Sequence, residues 1–186
     1  MNDDVTHNIF NKRGTMNREE ALQLVKKHVE NRNLQKHMIA AEAVMRKLAA
    51  RFGEDEDTWG LAGLLHDLDY DETKDDFERH GFRTAELLQD NVDSDEIIHA
   101  IKAHPGHVER ETRLDKALYA VDPLTGLIVA AALMHPDKKL ASLDTDFVMR
   151  RFGEKRFAAG ADRGQIKSCT EMGLDLEEFI SLALEA

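Results

Sequence analysis

Cysteine and proline are scarce in this sequence, and acidic residues outnumber basic ones. Its 186 residues include one cysteine, Cys169, and three prolines. A single thiol excludes an internal disulfide and a zinc site built on several cysteines, and it fits a reducing cytosol. The 25 Lys and Arg residues against 36 Asp and Glu residues give a net charge of −11. That charge argues against a nonspecific nucleic-acid binder, which needs a basic surface.

Long apolar runs are also missing. Residues 1–10 contain no apolar stretch behind a basic start, so we predict no signal peptide. The longest apolar run, residues 124–134, is interrupted by Thr125 and Gly126 and is too short to cross a bilayer. We therefore expect a cytoplasmic protein without a membrane partner, in which this run forms a core helix.

Strand-like alternation of useful length is absent, and apolar residues recur instead at the three- and four-residue steps of a helix. The spacing predicts an all-α protein, a single-domain helical bundle. We expect a flexible N-terminal segment over residues 1–16 and one domain over 17–186. Its core would cover about 20–135, with C-terminal helices over 136–186.

Capping residues set the expected ends of the helices. Asn17, with Glu20 three residues on, opens a first helix that runs to about residue 30. A fourth helix is expected over about 76–90, and Asp122 followed by Pro123 resembles an N-cap that separates helices at 114–121 and 124–134. The other predicted starts are Asn33, Asp57 or Thr58, Ser94 and Asp144, with short final helices around 166–172 and 176–184.

Several histidines and aspartates border apolar segments of five predicted helices. Each histidine alone is more often a hydrogen-bonded structural residue, and a His-Asp step can also lie at an exposed helix end. Asp67, which follows the apolar residues 62–65 and His66, is costly if it is buried without a partner, and this favours a bound cation. Asp122 can cap a helix and still bind a cation. The set comprises His37, His66, Asp67, His80, His104 and Asp122.

Imidazole and carboxylate groups without a thiolate suit a divalent transition metal. Mn, Fe, Co, Ni and Zn all accept such ligands, so the set does not distinguish between them. We predict one or two ions of this kind as cofactors.

The order His37, His66-Asp67, Asp122 resembles the H…HD…D signature of the HD superfamily of metal-dependent phosphohydrolases. The apolar residues 62–65 before the dyad, the segment 97–104 and the segment 118–122 are similar as well, so the resemblance covers roughly residues 20–135. Within the superfamily, the chain is similar to small stand-alone proteins of the HDIG type.

The resemblance implies an all-α core in which His37, His66, Asp67 and Asp122 bind one divalent metal. Members with a second ion use two further histidines between the dyad and the last aspartate. His80 and His104 stand in those places, and Asp67 would then bridge the two ions. His107 is the substitute if His104 points away.

Two departures from the family pattern bear on the substrate. The Ile-Gly-Lys that often follows the dyad is replaced by Leu68-Asp69-Tyr70, which would remove a basic group near the substrate phosphate. The Gly-Tyr-Pro signature of the cyclic-dinucleotide branch does not follow His104, which argues against cyclic di-GMP as the substrate.

The expected chemistry is hydrolysis by a metal-bound hydroxide. The metal would acidify a bound water and polarise a phosphoryl oxygen, with Asp67 at the centre of the catalytic group. Asp69 or Asp71 could act as a general base, because they follow the dyad by two and four residues. Residues 67–78 hold seven acids and one lysine, however, and most of these acids are expected to be solvated loop charge.

Positive charge for a phosphate could come from two places. Lys102, Arg110 and Arg113 lie nearer the ligand set in sequence and are our candidates for substrate binding. Residues 148–168 also carry a net charge of +4, from six basic and two acidic residues. Either group could equally be a solvated face of the protein.

Three functions stay open on the sequence. The first is a metal-dependent phosphohydrolase that cleaves a phosphate ester of a small molecule, a nucleotide being the preferred substrate. The second is a non-catalytic, metal-containing HD-fold module for binding or signalling, since a fold does not fix a function. The third is a helical interaction protein without metal. The chain could also form a homo-oligomer.

Overall fold

Residues 16–186 are described by the computed structural model, and all their regular secondary structure is helical. This confirms the all-α prediction. Met16, which we assigned to the flexible segment, is buried, whereas residues 1–15 of that segment lie outside the described residues. The helices are α1 (Arg18–His28), α2 (Arg32–Phe52), α3 (Glu56–Leu65), α4 (Tyr70–Thr73), α5 (Phe82–Leu88), α6 (Asp95–Ala103), α7 (Arg113–Met134), α8 (Thr145–Gly153), α9 (Arg163–Lys167) and α10 (Leu176–Glu185).

Capping residues explain most helix starts. Asn17 and Glu20 form a reciprocal capping box at α1, and Ser94 and Asp144 cap α6 and α8 as predicted. Two starts differ from the prediction. The N-cap of α2 is Asn31 rather than Asn33, and the N-cap of α3 is Asp55, whose carboxylate accepts a hydrogen bond from the Thr58 amide.

The predicted helix over 76–90 is broken in the structure. A short 3-10 turn, Phe77–Arg79, precedes α5, and the chain turns between them at His80 and Gly81. Gly81 has a φ of +78°, and a Cβ atom there would lie 2.7 Å from the carbonyl oxygen of Ile101. Only glycine fits both conditions, so Gly81 brings His80 close to the end of α6.

The predicted break at Pro123 is wrong, because α7 continues through the proline without interruption. Proline has no N–H for the Tyr119 carbonyl, the partner one helical turn earlier. The side-chain amide of Gln165 on α9 donates to that oxygen at 2.8 Å. A distant residue thus satisfies the carbonyl, and Asp122 lies inside a helix rather than at its start.

Helix α7 is long and apolar enough to span a membrane by length and composition, as the only such helix among residues 16–186. More than half of its most apolar stretch is buried inside the protein, however. Leu118, Val121 and Leu124 are fully buried, and the helix packs against α2, α6 and α9. It is the core helix of the bundle.

Helices α2 and α3 pack closely side by side, and glycine permits this approach. A Cβ atom on Gly63 would lie 2.8 Å from the carbonyl oxygen of Ala41 on α2. The close contact places the end of α3, where His66 lies, beside the N-terminal half of α2, where His37 lies. Both ends of the described chain also contribute to the core, as Val25 on α1 and Phe179 on α10 are buried.

Candidate metal centre

Four of the predicted side chains meet at one point. His37 comes from α2, His66 is the C-cap of α3, Asp67 follows it, and Asp122 lies in the middle of α7. His37 Nε2 lies 3.1 Å from His66 Nε2, 3.4 Å from Asp67 Oδ2 and 3.2 Å from Asp122 Oδ1. Their four donor atoms are all within 4.8 Å of one another, so the group could hold one metal ion.

A second group shares Asp67 with the first. Asp67 Oδ1 lies 3.3 Å from His80 Nε2 and 3.4 Å from His104 Nε2, and these two nitrogens are 3.1 Å apart. The two oxygens of Asp67 therefore face different groups, Oδ2 towards His37 and His66, and Oδ1 towards His80 and His104. This arrangement could hold two ions with Asp67 between them.

Hydrogen bonds at Nδ1 orient all four imidazoles. His66 and His104 donate from Nδ1 to the carbonyl oxygens of Gly63 and Ile101, at 2.8 and 2.6 Å. A carbonyl oxygen can only accept, so the proton of each neutral ring sits on Nδ1 and leaves a lone pair on Nε2.

The other two rings are held in the same way by side chains. His80 Nδ1 donates to Asp69 Oδ1 at 2.8 Å. Thr125 donates its hydroxyl to the Asp122 carbonyl, so its oxygen accepts from His37 Nδ1 at 2.8 Å. When the rings are neutral, four Nε2 lone pairs therefore converge with the Asp67 and Asp122 carboxylates, which is the chemistry of a site for cations.

Nearby carboxylates raise the pKa of three of the four imidazoles, whereas burial lowers the pKa of His104. Burial disfavours a charged imidazole, but Asp67 and Asp69 outweigh it and raise the pKa of His80 to about 9. Carboxylates likewise raise the pKa of His37 and, more strongly, of His66. Burial would raise the pKa of Asp67, yet the surrounding histidines hold it well below its usual range. A divalent ion would displace these protons.

Asp69 occupies a different place from the one we predicted. It is fully buried, and its Oδ2 accepts hydrogen bonds from the amides of Gly81 and Thr84 at 2.8 and 3.0 Å, while its Oδ1 accepts from His80. Both oxygens are therefore engaged away from the converging lone pairs. Asp69 positions His80 and is not placed to act as a general base.

The remaining predicted residues lie outside the two groups. Asp71 accepts a hydrogen bond from the Glu30 amide at 3.1 Å, and Lys102 lies in the last turn of α6. Arg110 stacks 4.0 Å from the ring centre of Tyr119 and pairs with Glu171. His104 points into the second group, so His107 is not needed as its substitute.

Arg113 lies far from the centre. Its guanidinium pairs with Glu54 and lies 4.8 Å from the ring centre of Phe52, the last residue of α2. Fifteen residues of helix separate Phe52 from His37, which is about 22 Å at 1.5 Å per residue. This position does not support the predicted role of Arg113 in substrate binding.

A cavity of about 530 Å³ opens onto both groups. His37 and Asp122 are partly exposed in it, whereas His80 and His104 lie deeper. No Lys or Arg is among its lining residues, so Lys102, Arg110 and the basic residues of 148–168 do not line it. Its lining is His37, Asp67, His80, His104 and Asp122 with Asn31, Asn33, Leu34, Tyr70, Phe77, Pro105, Gly160 and Gln165.

One basic residue of the segment 148–168, Arg163, supports the wall of the cavity. Arg163 donates to the carbonyl oxygens of Phe157, Ala158 and Ala161, which fixes the loop before α9. Gly160 in that loop and Gln165 on α9 line the cavity. Arg163 thus stabilises one wall through backbone contacts.

Sequence reasoning missed Thr125 and misjudged Asp69. Thr125 follows Asp122 by three residues, the spacing at which a hydroxyl reaches back to a backbone carbonyl, and this was a usable signal. Asp69 carries no such signal, because it stands among six other acids and only the fold shows that it is buried.

Comparison with known proteins agrees with this geometry. A family model described as HD domain matches residues 34–133, which is more than half of the chain. The chain belongs to the HD domain family. Residues 34–133 contain both groups of proposed metal ligands, from His37 on α2 to Asp122 on α7.

Two curated relatives are similar to part of this chain. Ribonuclease Y of Oleidesulfovibrio alaskensis is 32% identical over 96 residues, and ribonuclease Y of a Sulfurovum species is 35% identical over 89 residues. These alignments cover 52% and 48% of this chain, but only 18% of each relative. The chain therefore spans a small part of the proteins it matches.

Proposed function

We propose that this HD domain protein is a phosphohydrolase that uses two divalent transition-metal ions to cleave a phosphate ester of a small nucleotide. One observation carries the proposal. The carboxylate of Asp67 offers one oxygen to His37 and His66 and the other to His80 and His104. A shared carboxylate between two nitrogen-rich groups is suited to a pair of ions acting on one phosphate.

Some side chains would bind the ions, and others orient the side chains that bind them. His37, His66, Asp67 and Asp122 would hold the first ion, and Asp67, His80 and His104 the second. When bound, such ions lower the pKa of a coordinated water and neutralise charge on a phosphoryl group. Thr125 and Asp69 keep the rings of His37 and His80 oriented, so that Nε2 faces the ions.

The choice of metal follows from the ligand types. The two groups offer imidazole nitrogens and carboxylate oxygens and no thiolate, which suits Mn, Fe, Co, Ni or Zn. Four nitrogen ligands among six residues make Mg or Ca a poorer match, because these ions prefer all-oxygen sites.

A small substrate fits the site better than a long nucleic acid. A cavity of 530 Å³ is of the size that takes a small molecule. The net charge of −11 repels an extended polyanion. The names of the two relatives state an activity on RNA, so cleavage at the end of an RNA chain is the second candidate. We further propose a cytoplasmic location, on the basis of the single cysteine.

The first experiment measures bound metal. Protein purified without a metal-affinity tag is analysed for transition metals before and after incubation with Mn, Co, Ni or Zn. We expect up to two equivalents in the unaltered chain and near loss in Asp67→Ala. Asp71→Ala, which changes a nearby acid outside both groups, is the control and keeps its metal.

Activity is then screened with the metal-loaded protein. Nucleoside monophosphates and short RNA oligomers are compared, and Asp67→Ala must abolish any hydrolysis. Failure to bind metal under every condition overturns the proposal. Bound metal without turnover of any phosphate ester would instead support the non-catalytic HD module.

A further inference from the structure

Two exposed aromatic rings stand at the mouth of the metal cavity. Tyr70 and Phe77 are 43% and 55% exposed, and both line the cavity that contains His37, Asp67 and His80. Each ring centre lies 5.6 Å from the imidazole of His80. Single exposed apolar residues need no explanation, but two aromatic rings beside the same proposed metal ligand leave apolar surface next to the reacting group.

Phe77 is exposed and yet held in place. His107 Nε2 donates to the Phe77 carbonyl oxygen at 2.8 Å, and the imidazole of His107 meets the Phe77 ring at 5.2 Å between ring centres. Phe82 also stacks on His107, with an angle of 16° between the ring planes. A ring fixed in this way loses little freedom when a ligand covers it, which favours binding.

The absence of Lys and Arg from the cavity lining limits the kinds of ligand that can bind beside these rings. Because no Lys or Arg lines the cavity, the metal ions would carry the attraction for the phosphate. The organic part of the substrate must then gain its affinity elsewhere. Flat π surfaces suit stacking with a planar ring, and such stacking tolerates different bases because every base has a π face.

We infer that Phe77 and Tyr70 form the subsite for the base of the nucleotide. The base packs on these rings while its phosphate lies at the two metal groups. This inference rests on the proposed function for the reaction, but the base subsite can be tested without turnover. The inference predicts that the site binds nucleosides in preference to sugars without a base.

The first test measures binding of nucleosides, which carry no phosphate to hydrolyse. Adenosine, guanosine, cytidine, uridine and ribose are titrated into the metal-loaded full chain and followed by ligand-observed NMR. We expect at least one nucleoside to bind and ribose not to bind. Phe77→Ala should weaken the binding about tenfold, as expected for the loss of one stacked ring.

Matched variants separate stacking from general damage. Phe77→Tyr keeps the planar ring and should retain binding, while Phe77→Leu keeps an apolar side chain and should lose it. Leu133→Ala, which trims an exposed apolar side chain on α7 outside the cavity lining, should change nothing. Metal content is measured for every variant, since both rings touch His80.

The second test compares two substrates with the same phosphomonoester. Phe77→Ala should lower kcat/KM about tenfold for the adenosine 5′-phosphate but leave ribose 5-phosphate unchanged. Equal losses for both substrates, or no nucleoside binding at all, overturn the base subsite and leave the hydrolase proposal standing. Phe77-dependent nucleoside binding without hydrolysis supports the subsite and overturns the hydrolase.

Discussion

The hydroxyl oxygen of Thr125 lies 2.8 Å from Nδ1 of His37 and ties two proposed ligands of the first ion together. The same hydroxyl donates to the backbone carbonyl of Asp122, 3.0 Å away. His37 belongs to α2 and Asp122 to α7, so one side chain fixes the orientation of a ring on α2 relative to the backbone of α7 at Asp122.

Removal of the Thr125 hydroxyl should weaken the binding of the first ion without unfolding the protein. Thr125→Val keeps the shape of the side chain but cannot accept the hydrogen bond from His37 Nδ1. The His37 ring then loses the contact that fixes its tautomer. We expect a loss of roughly tenfold or more in metal affinity, the usual cost of removing such a partner. Competition with a chelator measures it, and Thr125→Ser should restore the affinity. Equal affinity in Thr125→Val would contradict the assigned role.

Replacement of Asp69 should act on the second ion. Asp69→Asn removes the negative charge that holds His80 and turns one acceptor into a donor, so the His80 ring is no longer fixed. We expect one equivalent of metal to be lost, or bound roughly tenfold more weakly, while the other is retained. Asp71→Asn is the matched control. If Asp69 were a general base instead, activity would fall with both ions still in place.

Gln165 and Pro123 should be energetically coupled. Gln165→Ala leaves the Tyr119 carbonyl without a donor, which should cost about 1–2 kcal/mol of unfolding free energy. Pro123→Ala restores the helical N–H for this carbonyl, so Gln165→Ala should cost less in that background. Urea unfolding of the four proteins gives the coupling energy. Equal costs in the two backgrounds would show that the amide does not replace the missing N–H.

Gly63 should not tolerate even a methyl group. Gly63→Ala would place a carbon 2.8 Å from the Ala41 carbonyl oxygen, forcing α2 and α3 apart. We expect a destabilisation of about 1–3 kcal/mol and weaker metal binding, since His37 and His66 lie on these two helices. Gly126→Ala on α7, where a Cβ meets nothing within 4 Å, is the control and should be neutral or stabilising. Thermal unfolding and metal titration measure both effects.

The metal-free protein should lose stability towards alkaline pH. The pKa of His80 is about 9 in the folded state, against about 6.5 for an unperturbed histidine, so its charged form contributes its full stability below about 6.5. This contribution disappears as the pH rises from 6.5 through about 9, and it is on the order of 1–3 kcal/mol. Urea unfolding of chelator-treated protein should show this loss, and His80→Ala should reduce it. The raised pKa values of His37 and His66 leave a remainder. A profile identical in the variant would refute the linkage.

Sequence patterns predicted several helix starts from local capping residues, but they failed in the middle of α7, where a distant residue decides. The capping residues Asn17, Ser94 and Asp144 act within one turn, and their helices start as predicted. At Asp122 and Pro123 the same local reasoning failed, because the donor that lets α7 continue is Gln165, 42 residues after the proline. No local pattern contains that hydrogen bond.

The candidate site was predictable to a similar degree. The resemblance to the HD family indicated the six residues that converge, and the structure brings all of them together. Asp69 could not be separated from Asp71 in the sequence, since both are acids in one acidic stretch. Burial and the amides of Gly81 and Thr84 make the distinction, and these contacts depend on where α5 begins.

The match to the HD family ends at residue 133, but the hydrophobic core does not. Ile166, Phe179 and Ile180 are fully buried, as is Ala21 on the other side of the matched region. A fragment cut at the family boundaries would expose the face of α3 that packs against α1 and the faces of α2 and α7 that pack against α9 and α10. The region that matches the family, residues 34–133, is therefore smaller than the hydrophobic core of this chain. Residues outside that region support the helices that carry the proposed metal ligands.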